Sequence, residues 1–343
     1  MNKRISLMIT LLLVAATLLT GCAKGSSSSK VVYYMAPGLF DEFQAGTNKM
    51  MLQFGKEGGY EVRALNAGNT SATQVNQMDD AISQKPRAII LNAVDAATIT
   101  ASVDKARQAG IPVLVYDRFI QDTTTDFHSV VGTVKIGNMA ADEVARLLKE
   151  KNGDAKGTVL EIMGDPGDNY TVLIDQGFQD KIKSDYPGIT VVAKPTAGWE
   201  PTVAASIVDD QLTANPKTDV IFVHADFRAT SIIPVLQAHG MKPGDILMVG
   251  TDGAPSGLQA IRDGWMLETI GVPMVQQVYG IWQFLEDVVA KKTLTMGNVD
   301  VKGVQAELKM EKWGPTLYLP GQIVDKTNVD DPNLWGNMKV ESQ

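Results

Sequence analysis

The chain has 343 residues, 44% of them hydrophobic, a formal net charge of −8 and a single cysteine. The acidic balance leaves no basic stripe to displace counterions from a phosphate backbone, which argues against a nucleic-acid partner. One cysteine excludes an internal disulfide, and the apolar content is enough for two cores at roughly 150 residues per domain.

The first thirty residues read MNKRISLMITLLLVAATLLTGCAKGSSSSK. Lys3 and Arg4 precede an apolar run from Ile5 to Leu19, shorter than the roughly 20 residues that a membrane-crossing helix needs. Residues 1–21 are therefore expected to be a secretory signal. Leu19-Thr20-Gly21-Cys22 resembles a bacterial lipobox, so Cys22 is the expected lipid attachment site and 22–30 the tether. The mature protein would be extracytoplasmic, held to a membrane by its lipid in the periplasm or on the outer face of the cell membrane.

Strand-like and helix-like segments then alternate. VVYYMA (31–36) precedes a helical period over 41–57, with Phe43, Met50, Met51 and Phe54 on its apolar side. YEVRAL (60–65), a helix over 71–84, AIILNA (88–93), a helix over 96–109 and VLVY (113–116) complete a first series. A second series begins near Lys156. It comprises TVLEIM (158–163), a helix over 172–184, ITVVAK (189–194), a helix over 203–213, VIFVHA (220–225), a helix over 229–239 and ILMVGT (246–251). Such alternation makes βαβ units and parallel sheets covered on both faces. The expected fold is α/β, with two doubly wound domains, a hinge and a ligand cleft between them. The N-terminal domain would take 31–132 and 272–300, and the C-terminal domain 133–271 and 301–343.

The two halves share one plan. AIILNAVD (88–95) and VIFVHAD (220–226) are apolar strands ending in Asp. Each leads through a Thr and an amphipathic helix to Gly110 or Gly240, and then to a second apolar strand ending in Asp117 or Asp252. Asp95 and Asp226 suit helix N-caps, with ligand contact as the competing reading. No strong helix follows Asp117 or Asp252 directly, and ligands of open α/β sheets collect outside the carboxyl ends of strands.

Catalytic signatures are missing. There is no Gly-x-Gly-x-x-Gly opening a helix, no phosphate-loop Lys in MGDPGDNY (163–170) and no Gly-x-Ser-x-Gly elbow. His128, His224 and His239 lie too far apart in sequence to form a metal motif. A glycosidase dyad of Asp117 and Asp252 stays open as a remote alternative. The expectation is a binding protein with no catalytic residue, cofactor or metal. Carboxylates accept from adjacent hydroxyls, a guanidinium donates in a fixed fork, and aromatic faces cover the C–H face of a sugar ring. Phe40, Tyr170 and Trp199 stand at loop positions after strands and are candidates for that role.

On VLVYDR (113–118), VGTDG (249–253), GDPGDN (164–169) and the opening strand with its Phe40 loop, the chain from Val31 to about Val289 resembles the type I periplasmic sugar-binding proteins of ABC importers. This is the group that binds ribose, galactose and xylose. Residues 117–137, 197–222 and 318–339 are similar to the xylose-binding branch in particular. The resemblance implies that Asp117 and Arg118 are the ligand pair of the N-terminal domain, and Phe40 and Trp199 the stacking residues. It places Asp168, Asn169, Tyr170, Asp226 and Asp252 on the C-terminal side. Three positions depart from the family pattern: Val172 stands where an Arg is usual, Ala225 where an Asn is usual, and Gly271-Val272 where a Gln or Lys is usual. His224, Arg228 and Gln276 are candidates to compensate, and a less oxygenated ligand, a polyol or deoxysugar, would suit the poorer donor set. The implied partners are a sugar or polyol, an ABC permease with its cytoplasmic ATPase and, as a further option, a chemoreceptor, with the protein itself a monomer. A nucleoside-binding ABC lipoprotein is the main alternative, disfavoured by the Asp117-Arg118 and Thr251-Asp252-Gly253 constellation.

Overall fold

Short, almost wholly apolar strands can only be satisfied by burial on both faces, and the computed structural model, which describes residues 29–338, builds two sheets from them. In the first half β1 (Val31–Ala36), β2 (Glu61–Asn66), β3 (Ala88–Leu91) and β4 (Val113–Tyr116) run parallel, in the order β2-β1-β3-β4. Helices α1 (Glu42–Glu57), α2 (Ser71–Ser83) and α3 (Thr100–Gln108) connect them. A fifth parallel strand, β5 (Phe127–Val131), extends this sheet beside β4 and was not expected from the sequence, because His128 and Ser129 break its apolar run.

The second sheet follows α4 (Thr133–Asn152). It contains β6 (Gly157–Ile162), β7 (Ile189–Lys194), β8 (Val220–Val223), β9 (Leu247–Asp252) and β10 (Glu268–Gly271), all parallel, in the order β10-β9-β8-β6-β7. Its helices are α5 (Asn169–Asp185), α6 (Pro201–Ala214), α7 (Ala229–Ala238) and α8 (Pro255–Arg262). Then α9 (Met274–Val289) returns to pack on α1, β4 and β5.

The tail corrects the expected division. β11 (Gly297–Val301), β12 (Val304–Glu311) and β13 (Gly314–Leu319) join the first sheet, although residues 301–343, which hold β12 and β13, were expected in the C-terminal domain. β13 pairs parallel with β5, Thr316 opposite His128 and Leu319 opposite Val131, and so covers what would otherwise be an open, apolar sheet edge. Only β14 (Gln322–Asp325) joins the second sheet, antiparallel to β10. The chain thus passes between the sheets after Val131, after Gly271 and after Leu319. The signal peptide, Cys22 and the residues after 338 lie outside the described residues.

Helices α4 and α5 touch backbone to backbone, which sets where the N-terminus of α5 points. A Cβ on Gly137 would fall 2.2 Å from the Ile174 carbonyl, and one on Gly177 would fall 2.2 Å from the Val134 carbonyl. Backbone cannot yield as a side chain does, so Gly137→Ala should destabilise by about 1–3 kcal/mol in urea unfolding. A change below about 0.5 kcal/mol would show that the helices are free to move apart.

Candidate functional site: an acidic chamber between the two sheets

The carboxyl ends of the strands from both sheets meet around a small chamber with a cavity volume of about 30 Å³. From the first half come Asp41, Phe43, Gln44, Asp117 and Arg118, and from the second Asp168, Tyr170, Trp199, Ala225, Phe227 and Asp252. Five of the residues expected from the sequence therefore line it together with Arg118: Asp117, Asp168, Tyr170, Trp199 and Asp252.

Asp117 and Arg118 follow β4. The Asp117 backbone has φ 66° and its N–H donates to the Ser129 carbonyl, so the chain turns sharply where the apolar run stops. The turn sends Arg118 across the cleft. Its Nε lies 2.8 Å from Asp168 Oδ2, in a pair only 4% and 1% exposed, and a terminal nitrogen donates to the Ala93 carbonyl. Asp168 also caps α5 by accepting from the Tyr170 N–H, and accepts from the Trp199 indole at 3.2 Å. Burial pushes its carboxyl up to about 6, with Arg118 pulling the other way.

Tyr170, on the first turn of α5, donates to Asp252 Oδ1 at 3.1 Å. Trp199 ends a 3-10 turn at φ 61° and forms the chamber wall, with the Arg228 guanidinium 4.8 Å behind its ring. Asp252 ends β9 at φ 109° and its carbonyl accepts from the Trp335 indole at 2.7 Å. The Trp335 ring in turn meets Phe43 edge to face at 5.7 Å, so the tail braces both lining residues. Asp117, Trp199, Ala225 and Asp252 all hold positive φ, which costs a non-glycine residue on the order of 1–3 kcal/mol and clusters at functional sites.

The remaining expected residues stand elsewhere. Asp226 neither caps α7 nor lines the chamber. Its buried carboxylate accepts from the Gly253 and Ala254 N–H groups and from the Thr269 hydroxyl, and so holds the loop that follows Asp252. Phe40 is 43% exposed and lines an outer groove, where it meets Phe227 edge to face at 6.4 Å. Asn169 bridges the halves by donating to the Phe119 carbonyl at 2.9 Å, outside the chamber lining. Val172 faces away, largely exposed. The expected compensation for the missing polar groups is not supplied by His224, Arg228 or Gln276, none of which lines the chamber. Asp41 and Gln44 add polar groups instead, with Asn92 behind them. Asp41 was detectable as an N-cap before a helical period, accepting here from the Gln44 N–H at 2.7 Å. Trp335 was not singled out from the tail resemblance, because its partners are some 80 and nearly 300 residues away in the chain.

His224 lies in a buried network beneath this wall. Its carbonyl accepts from Arg228, and its Nε2 is 2.8 Å from Glu161, which also accepts from Gln179. Burial pushes Glu161 up to about 8 and His224 down to about 3, so at neutral pH a protonated carboxyl donates to a neutral imidazole. Because the native carboxyl holds its proton above the ordinary pKa of 4.5, this group favours the folded state most at low pH. That contribution is lost as pH rises from about 4.5 to about 8. Glu161→Gln should remove that slope, at most about 1.4 kcal/mol per pH unit, from urea unfolding measured between pH 5 and 8.5. An unchanged slope would place the proton elsewhere.

A model of the periplasmic binding protein domain matches residues 32–293. The ribose import binding protein of Bacillus subtilis is 27% identical over 323 residues, covering 91% of this chain and 99% of its own. The D-xylose-binding periplasmic protein of Escherichia coli is 26% identical and covers 83% of each chain, so the ribose and xylose branches are nearly level. Among solved structures, a carbohydrate transporter solute-binding protein of Agrobacterium radiobacter in complex with D-arabinose superposes with a TM-score of 0.77. It is 20% identical and covers 90% of this chain and 98% of its own. With two sheets, three crossings and a chamber at the facing strand ends, the chain belongs to the periplasmic binding protein family, in its type I fold.

Proposed function

We propose that this protein is an extracytoplasmic lipoprotein, anchored through Cys22, that binds a monosaccharide or related polyol and delivers it to an ABC permease by hinge closure. The observation that carries this reading is the chamber itself, to which each half contributes charged groups and neither half alone forms a site. Trp199, Phe43 and Phe227 supply faces for C–H groups, and Asp117, Asp168, Asp252 and Arg118 supply acceptors and donors for hydroxyls. A ligand touching both halves stabilises the closed arrangement over the open one, which is what a permease reads. The relatives are named as a ribose import binding protein and a D-xylose-binding periplasmic protein, and the structural neighbour is in complex with D-arabinose.

Thermal shift of the chain from Val31 onward, against pentoses, hexoses, deoxysugars, polyols and nucleosides, tests the ligand class. A rise with a sugar or polyol is expected by mass action, and a rise with nucleosides alone would overturn the reading. Asp117→Asn should weaken the ligand at least about tenfold, since each charge-assisted hydrogen bond is worth about 1.5–3 kcal/mol. Asn also tolerates the left-handed backbone, so the melting temperature of the unliganded variant should stay within a few degrees. Undiminished affinity would remove Asp117 from the site. Cys22→Ser should release the protein from the membrane fraction, and retention there would refute the anchor.

A further inference from the structure

The chamber carries an imbalance of charge. Asp41, Asp117, Asp168 and Asp252 line it against one cation, Arg118, and Arg118 is already paired with Asp168 at 2.8 Å. Three carboxylates remain with no cation among the lining residues. Arg228, the next guanidinium, stands behind the Trp199 ring and directs its donors to the Met163 and His224 carbonyls and the Thr196 hydroxyl.

The hydrogen bonds made by these three carboxylates are few and neutral. Asp117, 5% exposed, accepts from the amide nitrogens of Asn92 and Gln44 at 3.4 and 3.5 Å, the outer limit of a hydrogen bond, and from the Gln277 side chain, while the neighbouring Arg118 charge attracts it without a direct ion pair. Asp252, 7% exposed, accepts from the Tyr170 hydroxyl at Oδ1, and its Oδ2 has no hydrogen-bond partner among the described residues. Asp41 accepts from the backbone N–H groups of Gln44 and Phe43 and also feels the Arg118 charge. Burial raises all three carboxyls above their ordinary range, and for Asp252 the charges of Asp226, Asp41 and Asp117 push the same way. Buried carboxylates left this way call for a donor that also brings positive charge. A hydroxyl brings one donor and no charge, whereas an ammonium brings three donors and the missing charge. The aromatic wall of Trp199, Phe43 and Phe227 tolerates a cation as readily as a C–H face.

Resting on the sugar-and-polyol reading above, we propose that the ligand is a polyhydroxylated amine, an amino sugar or aminocyclitol, with its ammonium among Asp41, Asp117 and Asp252. Its hydroxyls face the Arg118–Asp168 pair.

Calorimetric titration at pH 7 of the chain from Val31 onward, with matched pairs, provides the test: D-glucosamine against D-glucose, 1-amino-1-deoxyribitol against ribitol, and an amino-deoxy-inositol against myo-inositol. In at least one pair the amine should bind at least tenfold more tightly than its neutral partner, and Asp252→Asn should bring that ratio below threefold. Neutral members binding as well as the amines in every pair would overturn the inference and leave the sugar-and-polyol reading intact. Failure of both members of every pair would also overturn it, and if the thermal-shift panel then showed no sugar or polyol binding, the broader reading would fall too.

Discussion

The Arg118–Asp168 ion pair is the constraint around which the site is organised. Two charges buried this deeply are tolerable only when close and otherwise hydrogen-bonded, and here each comes from a different half of the molecule. Arg118 follows the last turn of backbone after β4, while Asp168 is the cap of α5. The same carboxylate therefore joins the halves, starts the helix that carries Tyr170 and orients the Trp199 indole. Buried as they are, both charges depend on this contact across the two halves for their stability.

The chamber walls are held in conformations that their residues would not choose alone. Positive φ at Asp117, Trp199, Ala225 and Asp252 is stabilised by contacts made outside the chamber. The Ser129 carbonyl holds the Asp117 N–H, Arg228 backs the Trp199 ring, and Trp335 holds the Asp252 carbonyl. Asp226 has this supporting part too. It resembles Asp95 in sequence, but its two oxygens tie down Gly253, Ala254 and Thr269, and it leaves the chamber lining to Asp252. The repeat between halves is thus a repeat of backbone plan more than of side-chain role.

Much of the fold was legible in local pattern. Strands of four to six apolar residues and helices with a 3.6-residue period declare themselves within a short window, and so did the Asp-terminated strands that bring Asp117 and Asp252 to the cleft. β5 was hidden because polar His128 and Ser129 interrupt its run, although both are buried. The placement of β11–β13 was hidden for a different reason: their edge partner, β5, is nearly 190 residues earlier in the chain. Phe40 was drawn to the site by its position after β1, yet the short loop leaves it on the outer groove, where Phe43 from the first turn of α1 takes the inner place.

By itself the sequence determined the alternating α/β layers, the acidic charge and the strand ends at which the candidate residues Asp117 and Asp252 stand, because these follow from side-chain period and backbone preference over a few residues. Only the tertiary structure decided which of those residues share one chamber, that Asp226 braces while Asp41 lines, and that the tail closes the first sheet and reaches the site through Trp335. These outcomes depend on groups far apart in the chain competing for one buried space, and no local window of sequence records who wins.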